Sequence, residues 1–268
     1  MAVDERWQHF KRVTRARIDL GRAGDALPTR KALEFEYACA LARDAVRASF
    51  DAAAMAGALA PLPVIAVRSA APHREIYLRR PDLGRRLREE DRGLLARGPY
   101  DAVIVVADGL SALAVQRHAA PLLRALGPHL AGWLLGPVVT AVQARVAIGD
   151  EIGAAMGAEM VVLLIGERPG LTAPDSLGIY LTFDPRIGRL DSQRNCISNV
   201  HGGGLPYEAA ASTLAWLMSR ARTLRLTGIA LKEDAPRVAA PRVAAPRSAD
   251  SSAVSPDAGP SPLPSLPP

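Results

Sequence analysis

Cysteine is scarce: Cys39 and Cys196 are the only two in a chain of 268 residues. They are too few and too far apart in sequence for a disulfide framework or a four-ligand zinc site, and they fit a reducing cytosol. Aromatic residues make up only 4%, which leaves few stacking platforms for single-stranded nucleic acid. The longest apolar runs are broken by Gly and Pro well short of a membrane span, and residues 1–7 are polar with no apolar h-region. Neither membrane insertion nor secretion is expected. The five histidines include no two at metal-ligand spacing, so a protein-bound metal site has little support. Neither a Walker A loop nor a G-x-G-x-x-G fingerprint occurs.

What is present is an ordinary globular composition. With 49% apolar residues the chain can bury one substantial core plus a smaller satellite domain. Lys and Arg number 33 against 27 Asp and Glu, a net charge of +6, which could serve nucleic acid, a membrane surface or an anionic ligand and selects none of them. Many arginines lie beside acids, as in Arg85-Arg86-Leu87-Arg88-Glu89-Glu90-Asp91-Arg92, a pattern that reads as a solvated or subunit-facing helix. No basic tract with interleaved aromatics appears, so nucleic acid is a weak reading.

Three regions separate by pattern. Residues 1–95 carry mainly helical signals: Leu33, Tyr37, Leu41 and Ala45 recur at helical spacing over 31–50, Thr29 is a candidate N-cap, and Gly21-Arg22-Ala23-Gly24 is an expected turn. Pro61 and Pro63 are expected to end this helical stretch. Residues 96–232 alternate buried strands and helices: a strand over 102–107, a helix over 112–126 capped by Ser111, an apolar run over 133–140 that Pro137 should make an edge or irregular strand, a helix over 148–156, a strong strand over 160–165, strands over 177–183 and 196–200, and a closing helix over 207–224. This order predicts an α/β fold with a mostly parallel sheet covered on both faces. Ligands in such sheets sit outside the carboxyl ends of strands, so the loops after Ala107, Thr140 and Ile165 are the places to look. From Glu233 the composition turns to Pro, Ala and Ser, and 233–268 is expected to be a disordered tail.

Three loops could carry chemistry. Gly166-Glu167-Arg168-Pro169-Gly170 puts a carboxylate and a guanidinium at the end of the strongest strand, either facing a ligand or as a local ion pair in a tight turn. Asp108-Gly109-Leu110-Ser111 has one glycine and an aspartate where a phosphate would sit, so Asp108 reads as a loop orienter or capping acid. In Arg194-Asn195-Cys196-Ile197-Ser198-Asn199-Val200-His201, the spacing of Cys196 and His201 across a strand puts their side chains on opposite faces and spoils a nucleophilic pair. Cys196 reads instead as a small buried residue or one that faces a cofactor. No complete catalytic set emerges, which favours a cofactor-binding or regulatory subunit whose partner holds the reacting groups.

Five ordered segments together resemble the ethanolamine ammonia-lyase small subunit. They are Ala16-Arg17-Ile18-Asp19-Leu20-Gly21-Arg22-Ala23-Gly24, Ile76-Tyr77-Leu78-Arg79-Arg80-Pro81-Asp82-Leu83-Gly84-Arg85-Arg86-Leu87, Val106-Ala107-Asp108-Gly109-Leu110-Ser111, Ile165-Gly166-Glu167-Arg168-Pro169-Gly170 and Asn195-Cys196-Ile197-Ser198-Asn199, within a match over about 15–232. The resemblance implies a helical N-terminal region, a Rossmann-like C-terminal domain and an adenosylcobalamin corrin held between this chain and a larger barrel subunit. Homolysis of the cobalt–carbon bond would start radical conversion of ethanolamine to acetaldehyde and ammonia, with ethanolamine bound mainly by the large subunit. It carries cobalamin contacts onto Val146, Glu167 and Cys196. Glu167 can accept N–H bonds from the corrin's rim amides, and backbone at Val146 and Cys196 can pair with others; for Val146 a packing role would leave the same signature. The family's longer polar N-terminal extension is associated in some members with packaging into a bacterial microcompartment. That extension is mostly missing here, so free cytosol is at least as well supported. The competing reading is a stand-alone α/β ligand-binding or regulatory module.

Overall fold

Short β-branched runs between helices build one six-stranded sheet in the computed structural model, which describes residues 7, 9–11, 14 and 16–232. The strands are β1 (Val64–Arg68), β2 (Ala102–Ala107), β3 (Val138–Val142), β4 (Met160–Gly166), β5 (Leu177–Phe183) and β6 (Asn195–Val200), in the order β1-β3-β2-β4-β5-β6. The first four run parallel; β5 and β6 are added antiparallel to their neighbours. The fold is therefore mixed α/β with a mostly parallel sheet. The expected tail, 233–268, lies outside the described residues.

The helices are α1 (Thr29–Arg47), α2 (Ala52–Ala58), α3 (Arg74–Arg79), α4 (Ala112–Leu126), α5 (Ile148–Met156) and α6 (Tyr207–Leu224). Strand residues alternate between two cores, as the period of two requires. Ile104, Val106, Val162, Leu164, Ile179 and Leu181 pack with Val115, Leu122 and Leu126 of α4 and with Leu214 and Leu217 of α6. Val103, Val105, Val139, Val161 and Leu163 pack with Ile148, Ile152 and Met156 of α5. On this second face α5 covers the middle of the sheet and reaches Thr182 of β5 and Arg194 before β6 through Asp150; farther along these strands Tyr180 is only half-buried and Cys196 is exposed.

Local expectations hold where a cap or glycine dictates geometry. Ser111 Oγ accepts from Ala114 N at 3.2 Å and starts α4 at Ala112. Gly21 and Gly24 take positive φ of 80° and 63°. Three details differ. Pro28, with φ −54° and ψ 135°, stands at the N-cap of α1, so Thr29 is already helical and caps nothing. The helical stretch ends at Arg47, and Pro61 and Pro63 follow a separate helix, α2. The run around Pro137 belongs to an interior strand, β3, between β1 and β2; Pro137 precedes the first ladder residue, so its missing N–H removes no ladder bond.

Candidate functional site

In an open parallel sheet a ligand crevice forms between adjacent strands whose following helices lie on opposite faces. Here those strands are β2 and β3, and the chain fills the crevice itself. Asp108, buried at the end of β2, accepts from Ala144 N at 3.0 Å through Oδ1 and from Arg74 Nη1 at 3.3 Å through Oδ2. Arg74 Nη1 also donates to Gly109 O at 2.8 Å, and the Tyr77 hydroxyl donates to Ala144 O at 3.0 Å. The buried Tyr77 ring lies between the guanidinium carbons of Arg74 and Arg145, at 4.8 and 4.6 Å. Burial pushes the Asp108 carboxyl above its ordinary range, against the pull of the Ala144 N–H and Arg74. Asp108 thus ties the loops after β2 and β3 together as an orienter, and the capping role falls to Ser111.

The end of β4 touches the β2–α4 turn backbone to backbone. A Cβ on Gly166 would stand 2.0 Å from Ser111 O, and one on Gly109, whose φ is +56°, would stand 2.2 Å from Gly166 O. Both positions require glycine, and this crossing aims the following loop. Glu167 N donates to Ser176 O at 2.9 Å; its Oε2 accepts from Ser176 Oγ at 2.5 Å and Asn199 N at 3.4 Å. Glu167 forms no ion pair with Arg168 among the described residues, so the tight-turn alternative gives way to an anchored carboxylate. Its Oε1 sits over Gly178, where a Cβ would come within 3.0 Å, and no described donor reaches it.

Cys196 stands directly across the β5–β6 ladder from Tyr180, on the face that α5 leaves open. It is exposed, which corrects the reading of Cys196 as a small buried residue. Loss of water around the sulfur raises the thiol pKa, the Tyr180 hydroxyl donating to Sγ lowers it, and the Glu167 carboxylate raises it again. The Tyr180 phenol is pushed up by burial first, then by Cys196, Glu167 and Asp191. Cys196 and His201 do not pair: His201 Nε2 lies 2.9 Å from Asn199 Oδ1.

Val146 is half-buried against the α5-side core and lines a cleft of about 340 Å³ with Arg85, Arg145, Arg189, Asp191 and Arg194. Below the cleft Arg194 and Asp150 form a buried ion pair, with side chains 2% and 3% exposed. Burial raises the Asp150 carboxyl even though Arg194 pulls it down. Arg194 Nη1 also holds Asp191 Oδ1 at 2.7 Å. The three sequence-derived residues therefore share the α5 face of the sheet: Val146 at the start of α5, Glu167 beyond β4 and Cys196 on β6. Glu167 and Cys196 adjoin through Tyr180, whereas Val146 lines a separate cleft that Asp191 borders. Sequence reasoning missed Tyr180, which alternation along β5 would have placed on this face, and the Asp150–Arg194 pair, whose members are 44 residues apart with no local signal.

The family model for the ethanolamine ammonia-lyase light chain (EutC) matches residues 4–232. The chain is 53% identical over 244 residues to the ethanolamine ammonia-lyase small subunit of Azotobacter vinelandii (strain DJ / ATCC BAA-1303), a match covering 87% of this chain and 90% of that protein. Its identity is 51% over 239 residues to the small subunit from Pseudomonas fluorescens (strain Pf0-1), covering 85% and 87%. It is likewise 51% identical over 239 residues to that from Ralstonia nicotianae (strain ATCC BAA-1114 / GMI1000), covering 85% and 88%. The chain belongs to the ethanolamine ammonia-lyase small-subunit family and is a lyase subunit.

Proposed function

We propose that the open α5 face, from Val146 through Cys196 to Glu167, is this subunit's share of an adenosylcobalamin site that a large subunit completes. The name small subunit, carried by the relatives, supports a hetero-oligomer. In this reading residues 1–95 are the helical N-terminal region, with β1 extending the sheet, and 96–232 are a Rossmann-like, cobalamin-contacting domain. The cytosol, with or without a microcompartment, is its compartment.

The observation that carries the reading is the state of Glu167. Ser176 and Asn199 fix the carboxylate through Oε2, and Oε1 is left to accept from the amide rim of a corrin. The residues fit such a ring in two further ways. The part of the β5–β6 surface beside Glu167 leaves Tyr180 half-buried and Cys196 exposed. The backbone N–H groups of Val146 and Ala147 donate to no described group, so they can donate to acceptors on the cofactor. When bound, adenosylcobalamin supplies a cobalt–carbon bond whose homolysis begins the radical deamination of ethanolamine to acetaldehyde and ammonia. This chain's residues hold and orient: Glu167 and the Val146 backbone by hydrogen bonds, Tyr180 and Cys196 by excluding water. Ethanolamine is bound mainly by the large subunit.

The test is cofactor retention in the two-subunit complex. Replacing Glu167→Gln removes a charge-assisted acceptor and should weaken adenosylcobalamin binding about tenfold, measured by equilibrium dialysis. Unchanged affinity removes Glu167 from the site. A complex without cobalamin-dependent release of ammonia from ethanolamine sinks the whole reading.

A further inference from the structure

The four arginines of the cleft beside Val146 are not equivalent. Arg194 is held by Asp150 and Asp191. Arg189 is held by Asp184, with a 2.7 Å contact to Oδ2, and by the Phe183 and Asp184 carbonyls. Arg85 and Arg145 have no carboxylate partner among the described residues. Arg145 is fixed all the same: its guanidinium lies on the Tyr77 ring at 4.6 Å and its backbone N–H donates to Gly84 O at 2.7 Å. Gly84 in turn has no room for a Cβ, which would meet Tyr77 Cε2 at 2.8 Å and Arg145 Cγ at 2.9 Å.

The same cleft is lined by Val146 and Ala147, the two residues whose N–H groups donate to nothing described, immediately before α5 begins at Ile148. Two arginines without a carboxylate partner among the described residues and two residues with unused backbone donors therefore line one cleft at the positive end of a helix. They face one carboxylate in the lining, Asp191, which is already bound to Arg194. Neutral amides of a corrin rim need no such charge. The donor set matches a tetrahedral oxyanion, which takes several N–H donors at once and gains from guanidinium charge.

We propose that this cleft receives the phosphodiester of the cofactor's nucleotide tail, with Arg145 and Arg85 as its cationic contacts, so that the small subunit reads the tail as well as the ring. The proposal rests on the cobalamin reading above. It assigns the cleft to the tail and the Glu167–Tyr180–Cys196 surface to the ring, which accounts for Val146 lining a space that the other two residues do not.

The experiment compares adenosylcobalamin with adenosylcobinamide, which has the corrin and no nucleotide tail, by equilibrium binding to the two-subunit complex. Arg145→Gln should weaken adenosylcobalamin about tenfold or more, the scale of one hydrogen bond to a charged group, and leave adenosylcobinamide unchanged. Arg145→Lys should recover part of the loss. Arg145 packs on Tyr77, so Arg85→Gln, at an exposed side chain, repeats the test without a packing change and should show the same selective loss. Inorganic phosphate should compete with adenosylcobalamin and not with adenosylcobinamide, and Arg85→Gln should abolish that competition. Equal weakening of both corrinoids in the Arg85 variant, or no weakening of either in both variants, overturns the tail assignment and leaves the ring site standing. A wild-type complex that binds neither corrinoid overturns the cobalamin reading and the tail assignment with it.

Discussion

The buried Asp150–Arg194 pair joins α5 to the start of β6 beneath the cleft, and its removal tests how the site is held. Arg194→Met takes away a guanidinium with a 2% exposed side chain and leaves the Asp150 carboxylate, 3% exposed, without its cation. Breaking one side of such a pair costs about 3–5 kcal/mol, because the remaining charge stays desolvated. The variant also loses the 2.9 Å bond from Arg194 to Arg189 O that steadies the 184–194 connection. In a domain of this size each kcal/mol moves Tm by roughly 2–4 °C, so a fall of about 6–20 °C is expected in a thermal melt, with the stability loss itself read by denaturant titration.

The pH dependence gives a sharper check. Burial already raises the Asp150 carboxyl while Arg194 pulls it down. Without Arg194 the folded carboxyl holds its proton more tightly still, while the unfolded chain keeps the ordinary aspartate value of about 3.9. The folded variant then binds more protons than the unfolded one, so its deficit is full at neutral pH and shrinks as pH falls through the raised folded value. Pairing the change with Asp150→Leu should restore much of the loss, since apolar replacement of both partners is often near neutral. A loss under about 1 kcal/mol, or a deficit that does not change with pH, refutes the account of Asp150 as a charge dependent on Arg194.

Elements dictated by local chemistry were legible in the sequence. The helix over 112–126 and the strand of 160–165 follow from a serine cap and from a β-branched run that glycine ends, and both occur as expected, the strand extending by one residue through Gly166. Thr29 failed as a cap because Pro28 already supplies the extended conformation that the position needs. The stripe of Leu33, Tyr37, Leu41 and Ala45 gave the helix correctly, but of the four only Ala45 is buried, together with Ala38 outside the stripe, while Leu33, Tyr37 and Leu41 are exposed; periodicity predicts a helix and an apolar face, not what covers that face. Strand-end logic led to Glu167, which follows β4 and whose carboxylate Ser176 and Asn199 hold in place. It also pointed to the turn after Ala107, where Arg74 and Tyr77, more than thirty residues earlier, fill the space. The lone charge of Asp108 was readable; the distant side chains that claim it were not.

Two further outcomes probe the surface around Glu167 without any cofactor. Gly166→Ala sets a Cβ 2.0 Å from the Ser111 carbonyl, a clash with backbone that no rotamer relieves, and should cost about 3 kcal/mol or more in denaturant titration; native stability would show that β4 does not cross the β2–α4 turn as described. The Cys196 thiol is exposed as a residue yet raised by lost hydration and by Glu167, so its alkylation midpoint, followed by mass spectrometry on the peptide that separates it from Cys39, should lie above the ordinary value of about 8.5. Tyr180→Phe removes the donor that favours the thiolate and should move the midpoint further up. Glu167→Gln removes the opposing charge and should move it down. A general disturbance of the surface would shift both variants the same way, so opposite signs require that Tyr180, Cys196 and Glu167 already adjoin in the chain by itself, and shifts of one sign break that arrangement.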